Sequence, residues 1–112
     1  MNYLNLSIQS LSSEEFIGSQ PVDRATWLCL MRYCAHQENG GRIKGVGKWP
    51  ERKLIGLLSV MENEIKKDCK LWSWAGQDLI VTFYPLNQQI ACKAKREAGK
   101  SYGKGHPKDN DS

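Results

Sequence analysis

A change of hydrophobic period at Lys70 constrains this chain more than any other feature. Upstream of it, apolar residues recur at helical spacing. Downstream, Trp72 and Trp74 alternate with Ser73, Ala75-Gly76-Gln77-Asp78 offers a turn, and Leu79-Ile80-Val81-Thr82-Phe83-Tyr84 is dense in β-branched and aromatic side chains. Side chains return to one face every 3.6 residues in a helix and every two in a strand, so the switch predicts helices followed by a β-hairpin. The expected strands lie near 70–75 and 79–84, joined by a four-residue loop and ended by Pro85. Gly76 is expected at positive φ in that loop, where a Cβ would strain the backbone. A hairpin with one apolar face has to lay it on the helices that precede it.

Those helices can be placed from their caps. Asp23 reads as the N-cap of a central helix over 23–38, with Ala25, Trp27, Leu28, Leu30, Met31, Cys34 and Ala35 in a wide apolar stripe and Asn39-Gly40-Gly41 at its end. Arg42-Ile43-Lys44 has room only for a small strand. Pro50 opens a helix over 50–58 whose buried face is expected from Leu54, Ile55, Leu57 and Leu58. Ser59 and Glu62 have capping-box spacing and restart a helix over 60–69, with Ile65 and Cys69 inward. Two short helices with almost no linker are the sequence mark of a helix-turn-helix. Before them, Tyr3–Ile8 alternates like a short half-buried strand. Ser12 with Glu15 suggests a capped helix stopped by Gly18 and Pro21. After the hairpin, Asn87 is expected to cap a last helix with Ile90, Ala94 and Ala98 along one side, Lys93, Arg96 and Lys100 along another, and an end near Gly99. The organisation expected is one domain over 1–98 and a flexible basic tail over 99–112.

At 112 residues the chain has room for one core and buries roughly two-thirds of its unfolded surface without a metal or disulfide staple. Cys29 and Cys34 lie five apart within a helical stretch, and Cys69 and Cys92 stand singly. Structural zinc sites use close cysteine pairs, so neither metal nor cofactor is expected and the four thiols read as free. No apolar run approaches the roughly 20 residues that span a bilayer, and no basic flank precedes an apolar stretch at the amino terminus. The expectation is a cytoplasmic protein without membrane contact. His36 and His106 have no nucleophile or carboxylate at a telling spacing, and Gly45, Gly47 and Gly56 fit no phosphate-cradling pattern, so no catalytic site is expected.

The net charge is +4, unevenly spread. Residues 1–41 are slightly acidic. Arg42, Lys44, Lys48, Arg52 and Lys53 stand against Glu51 alone, and Lys93, Lys95, Arg96, Lys100, Lys104 and Lys108 against Glu97 alone. Two basic segments separated by near-neutral protein point to a polyanionic partner. Trp27, Trp72 and Phe83 read as core, Trp49 before Pro50 as a residue packing the start of its helix, and Trp74 as either core or surface platform.

From Asp23 to Tyr84 the order of helix, short strand, helix, turn, helix and hairpin resembles the winged helix-turn-helix family. Leu54–Ile65 is similar to the helix-turn-helix core, with Ile55 and Ile65 as its packing residues. Leu71–Trp74 and Gln77–Val81 are similar to the strands of the wing. Together with the basic carboxy-terminal part, the pattern is similar to amino-terminal domains of phage and prophage replication or regulatory proteins. The resemblance implies an α+β winged helix that binds duplex DNA, in a sequence-dependent or architectural way, as a transcription regulator or replication-accessory domain. Lys44, Lys48, Arg52, Lys53, Lys93 and Arg96 would hold phosphates, Asn63, Lys66 and Lys67 would face the groove, and Trp74 and Gln77 would act at the wing. One departure stands out: Asp68 occupies the place, three after Ile65, where the family carries an apolar residue. The candidate recognition helix is therefore electrically neutral. That favours a second reading, a protein-interaction or homodimer module on the same scaffold.

Overall fold

The computed structural model describes Met1 and residues 3–104, with side chains as far as Gly99. In chain order it contains α1 (Ile8–Leu11), α2 (Glu14–Ile17), α3 (Pro21–Gln37), β1 (Arg42–Ile43), α4 (Glu51–Leu58), α5 (Glu62–Lys66), β2 (Trp72–Ala75), β3 (Asp78–Val81) and α6 (Leu86–Lys104), with a 3₁₀ turn at Val46–Lys48. The fold is mixed α+β. The order from α3 to β3, and the antiparallel sheet order β1-β3-β2, are compatible with a winged-helix layout.

The core forms where α3, the α4–α5 pair and one face of the sheet meet. Trp27, Leu30, Met31 and Cys34 of α3 are fully buried against Leu54, Leu58, Val60, Ile65, Leu71, Trp72, Leu79 and Val81. Trp27 needs a partner for its indole N–H once buried, and it donates to the Thr82 carbonyl at 2.8 Å, which ties α3 to the end of the hairpin. The small strand at Arg42–Ile43 pairs as expected, Arg42 opposite Ile80 and Ile43 opposite Leu79.

Several boundaries differ from the sequence reading, each for a local reason. Residues 3–7 form no strand; Ser7 instead caps the single turn of α1. The cap of α2 is Ser13, not Ser12, accepting from the Phe16 N–H at 3.2 Å. Pro21 begins α3 rather than stopping its predecessor, because the first helical position has no hydrogen bond for a proline to lose. Asp23 thereby falls inside the helix instead of capping it. Ile55 is 48% exposed and Leu57 43%, so α4 buries only the Leu54 and Leu58 row; one neighbouring surface covers one stripe. Ser59 ends α4 in the left-handed conformation at φ 60° and does not cap α5. At α5 the backward hydrogen bond runs from the Met61 N–H to Glu64 at 2.7 Å, half of a capping box, with a thioether where a hydroxyl would complete it. That helix stops at Lys66, three residues early. Asp68 is then exposed beyond the helix, Cys69 is half-buried, and Leu71 takes the inward place. Phe83, expected in the core, is only half-buried and sits at φ 65°. Asn87 lies within the first turn of α6, and that helix runs past Gly99 to Lys104. The remainder of the predicted tail lies outside the described residues.

The hairpin is tighter than expected. Ala75 pairs with Asp78, leaving Gly76 and Gln77 as a two-residue turn. Gly76 has φ 65° whereas Gln77 is not at positive φ, the pattern of a type II′ turn with glycine first. A Cβ at Gly76 would meet nothing within 4 Å, so the cost of replacing it is backbone strain alone. Gly76→Val is expected to destabilise the domain by about 1 kcal/mol or more in urea unfolding, and unchanged stability would show that the turn does not need a left-handed residue.

The four cysteines are free thiols, three half-buried and Cys34 buried. Burial pushes the Cys34 thiol up to about 12 against a weaker opposing contact from Asn39. Under native conditions a thiol reagent at pH 8 is expected to spare Cys34 and to reach it only on unfolding; native-rate labelling of Cys34 would contradict this burial.

Candidate nucleic-acid interface

Three short pieces of chain meet at the wing: the 3₁₀ turn, the end of α5 and the hairpin tip. Gly47 donates its N–H to the Gln77 carbonyl at 2.9 Å, which lays the turn on the wing. The approach requires glycine. A Cβ at Gly47 would overlap the Gln77 side chain and lie 3.3 Å from its Cα. Trp72 and Trp74 donate their indole N–H groups to the same Ile65 carbonyl, at 3.0 and 2.9 Å, and so fix β2 against α5. Gly47, Lys66, Trp74, Gly76 and Gln77 consequently share one shallow recess of about 290 Å³.

Beside it lies a second recess. Lys44, Trp49 and Tyr33 line it together with Gln37, Asn39, Arg42 and Ile43, and its volume is about 390 Å³. Trp49 packs edge-on to Tyr33 with ring centroids 6.1 Å apart, and Lys53 Nζ lies 4.3 Å over the indole face. Trp49 does pack the start of α4, but it remains half-exposed. The turn Val46–Lys48 connects the two recesses.

The carboxylates of this region are engaged internally. Glu51 accepts from the Glu62 N–H at 3.1 Å, Glu62 pairs with Lys66 at 2.7 Å, and Glu64 accepts from Met61. Asp78 accepts from the Gly45 N–H and the Arg42 guanidinium, both at 2.8 Å, and these two contacts hold its carboxyl below the usual range. Lys44, Lys48, Arg52 and Lys53 are exposed, and none has a carboxylate within 4 Å among the described residues. Their charge is not neutralised by a described carboxylate, and Lys53 rests on the Trp49 ring.

Of the residues expected to bind DNA, Lys44, Lys66, Trp74 and Gln77 line the two recesses, Lys48 lies in the turn between them and Lys53 rests on Trp49, while Arg52 is exposed on α4. Asn63 is exposed on α5 and makes no side-chain hydrogen bond among the described residues. Lys67 is turned away. It has left the helix with extended backbone and sits 2.6 Å from Asp23, an ion pair whose angle does not make a hydrogen bond. The Trp74 indole N–H is committed to Ile65, which leaves only the ring for a ligand.

Lys93 and Arg96 belong to a separate assembly. Tyr84 and the Gly40 N–H both reach Gln89 Oε1 on α6, at 2.5 and 3.0 Å, and Arg96 grips Glu38 with two nitrogens at 2.7 and 2.8 Å. The Met1 amino group is 2.9 Å from the same carboxylate. No hydrogen bond or ion pair among the described residues joins α6 to the wing or to the α4–α5 pair. Nothing in the periodicity announced this clamp, since its partners are 58 residues apart. Tyr33 also escaped notice as a neighbour of Trp49, because it reads simply as part of a helix.

No family model, curated protein or solved structure matches this chain. Among the described residues no helix is long and apolar enough to cross a membrane.

The Arg96 guanidinium, followed by the Met1 amino group, lowers the Glu38 carboxyl to about 2 from 4.5. A lowered carboxylate stabilises the folded state above its unfolded value and loses that contribution as pH falls through the folded one. Attachment of α6 is therefore expected to be intact at pH 5 and to loosen between about 4.5 and 2. Carboxyl NMR should give a Glu38 midpoint near 2, and Glu38→Gln should abolish this pH dependence of amide protection in α6. An ordinary midpoint would show that the clamp is absent in solution.

Proposed function

We propose that residues 21–81 form a winged helix that binds duplex DNA through the wing and the basic turn beside it, in the service of a regulator or a replication-accessory protein. One observation carries the reading. The Gly47–Gln77 hydrogen bond sets the basic turn, with Lys44 and Lys48 on either side of Gly47 and Arg52 and Lys53 following in the first turn of α4, against the hairpin tip, while the nearby carboxylates are occupied internally. Exposed cations beside a hairpin suit the phosphate backbone, whose neutralisation supplies most sequence-independent affinity.

The part given to α5 is smaller than in a deep groove reader. It is five residues long, and of the three side chains expected to face the groove Lys66 is paired with Glu62, Lys67 with Asp23, and Asn63 remains. Backbone contacts are then the main source of affinity, with Asn63 and Lys66 adjusting sequence preference.

A second reading has its own observation. Ile55, Leu57 and Met61 are 48%, 43% and 51% exposed around the α4–α5 corner, an apolar surface that suits a protein partner better than a phosphate backbone.

A titration against duplex DNA at several salt concentrations separates the two. Affinity is expected to fall steeply with salt. Arg52→Ala with Lys53→Ala should weaken binding to all sequences and reduce the log–log slope by roughly two, at about 0.9 per phosphate. Asn63→Ala should change preference among sequences more than overall affinity. If a chain ending at Gly99 has no affinity for duplex at low salt, the interaction module becomes the better reading.

A further inference from the structure

We infer that the recess between Tyr33 and Trp49 is a binding site for a single unpaired nucleotide, so that the preferred substrate is a duplex carrying a single-stranded extension. The inference deepens the duplex reading, and rests on it for the neighbouring strand.

The recess has the chemistry of a base and its phosphate. Its floor is Ile43, 1% exposed. Its walls are the Trp49 and Tyr33 rings, the Gln37 and Asn39 amides and the Lys44 ammonium, with no carboxylate among them. Aromatic faces stack with any base, and an amide carries a donor and an acceptor for its edge; Asn39 Oδ1 already accepts from the Gly41 N–H at 2.9 Å, so edge contacts fall to the Gln37 amide and the Asn39 amino group. The volume of about 390 Å³ lies at the small end of the range for small-ligand sites, which suits one nucleotide and not a duplex. A phosphopeptide suits it less: Arg42, the one guanidinium in the lining, is held by Asp78 at 2.8 Å, so no arginine fork is open there.

The indole face is already occupied by a cation. Lys53 Nζ lies 4.3 Å from the ring centroid, at the end of an exposed and flexible side chain. Lys53 does not line the recess, so its ammonium stands beside the site, available to the bound nucleotide's phosphate. The position is also right for an extension. Gly47 lines the wing recess and Trp49 lines this one, two residues and at most about 7 Å of chain apart. A strand leaving the end of a duplex on the wing reaches Trp49 within one or two nucleotides.

The test compares a blunt duplex with the same duplex bearing a four-nucleotide tail of either polarity, with 2-aminopurine at the first unpaired position. Wild-type protein is expected to bind one tailed duplex at least fivefold more tightly than the blunt one and to quench the 2-aminopurine. Trp49→Leu keeps an apolar side chain for packing; it should lose both the increment and the quench while binding blunt duplex as before, which also shows that it is folded. Trp49→Phe should restore part of each. Equal wild-type affinity for blunt and tailed duplexes, or an increment and quench that survive Trp49→Leu, overturns the recess and leaves the duplex reading standing. Trp49-dependent binding of the tail with no affinity for blunt duplex overturns the duplex reading alone.

Discussion

The Ile65 carbonyl carries much of this architecture. It sits in the last turn of α5, where backbone acceptors have no partner further along the helix. Trp72 and Trp74 both donate to it, at 3.0 and 2.9 Å. They can do so because residues two apart on a strand share a face. Each indole N–H would otherwise be left in a half-buried or buried place without a partner, at a cost of about 1–3 kcal/mol. With it, α5 ends at Lys66, Lys67 lies beside Asp23, and the β2–β3 hairpin is held against α5.

The candidate interface follows from that arrangement. With β2 fixed on α5, the hairpin tip stands where the 3₁₀ turn can lie on it, and Gly47 permits the approach. The acidic residues nearby are held by backbone N–H groups and by Lys66 and Arg42, so they steady the local structure while the remaining cations pair with no described carboxylate. The second basic segment is organised separately. Tyr84, Gln89 and Gly40 attach the first turns of α6, and Arg96 with Glu38 attaches its middle, so Arg96 acts as a fastening. Ile90 at 56% exposure, with Ala94 and Ala98 also exposed, leaves the apolar side of this helix uncovered.

Much of the frame was legible in the sequence. The period change at Lys70 located the hairpin, Gly76 marked its turn, and the apolar spacing of Trp27, Leu30, Met31 and Cys34 located the central helix. These signals are local: a turn needs a left-handed residue where it bends, and an amphipathic stripe repeats within its own segment. Boundaries were less legible, since Asp23 and Ser59 both looked like caps. A capping side chain is only an option. Pro21 and the left-handed Ser59 used those positions differently.

The sequence by itself determined the main helices from α3 onward, the hairpin with its glycine turn and two clusters of positive charge, because propensity, period and composition are written in neighbouring residues. Only the tertiary structure decided which charges are paired within the chain. Lys44, Lys48, Arg52 and Lys53 remain open beside the wing, while Lys67 and Arg96 are drawn into ion pairs with Asp23 and Glu38, residues 44 and 58 positions away. It also placed Tyr33 against Trp49 and left Ile55 outside the core. The physical reason is common to all of these. A side chain's partner is set by which elements pack together, and packing is settled by the whole core, with Ile65 and its two indoles at the junction.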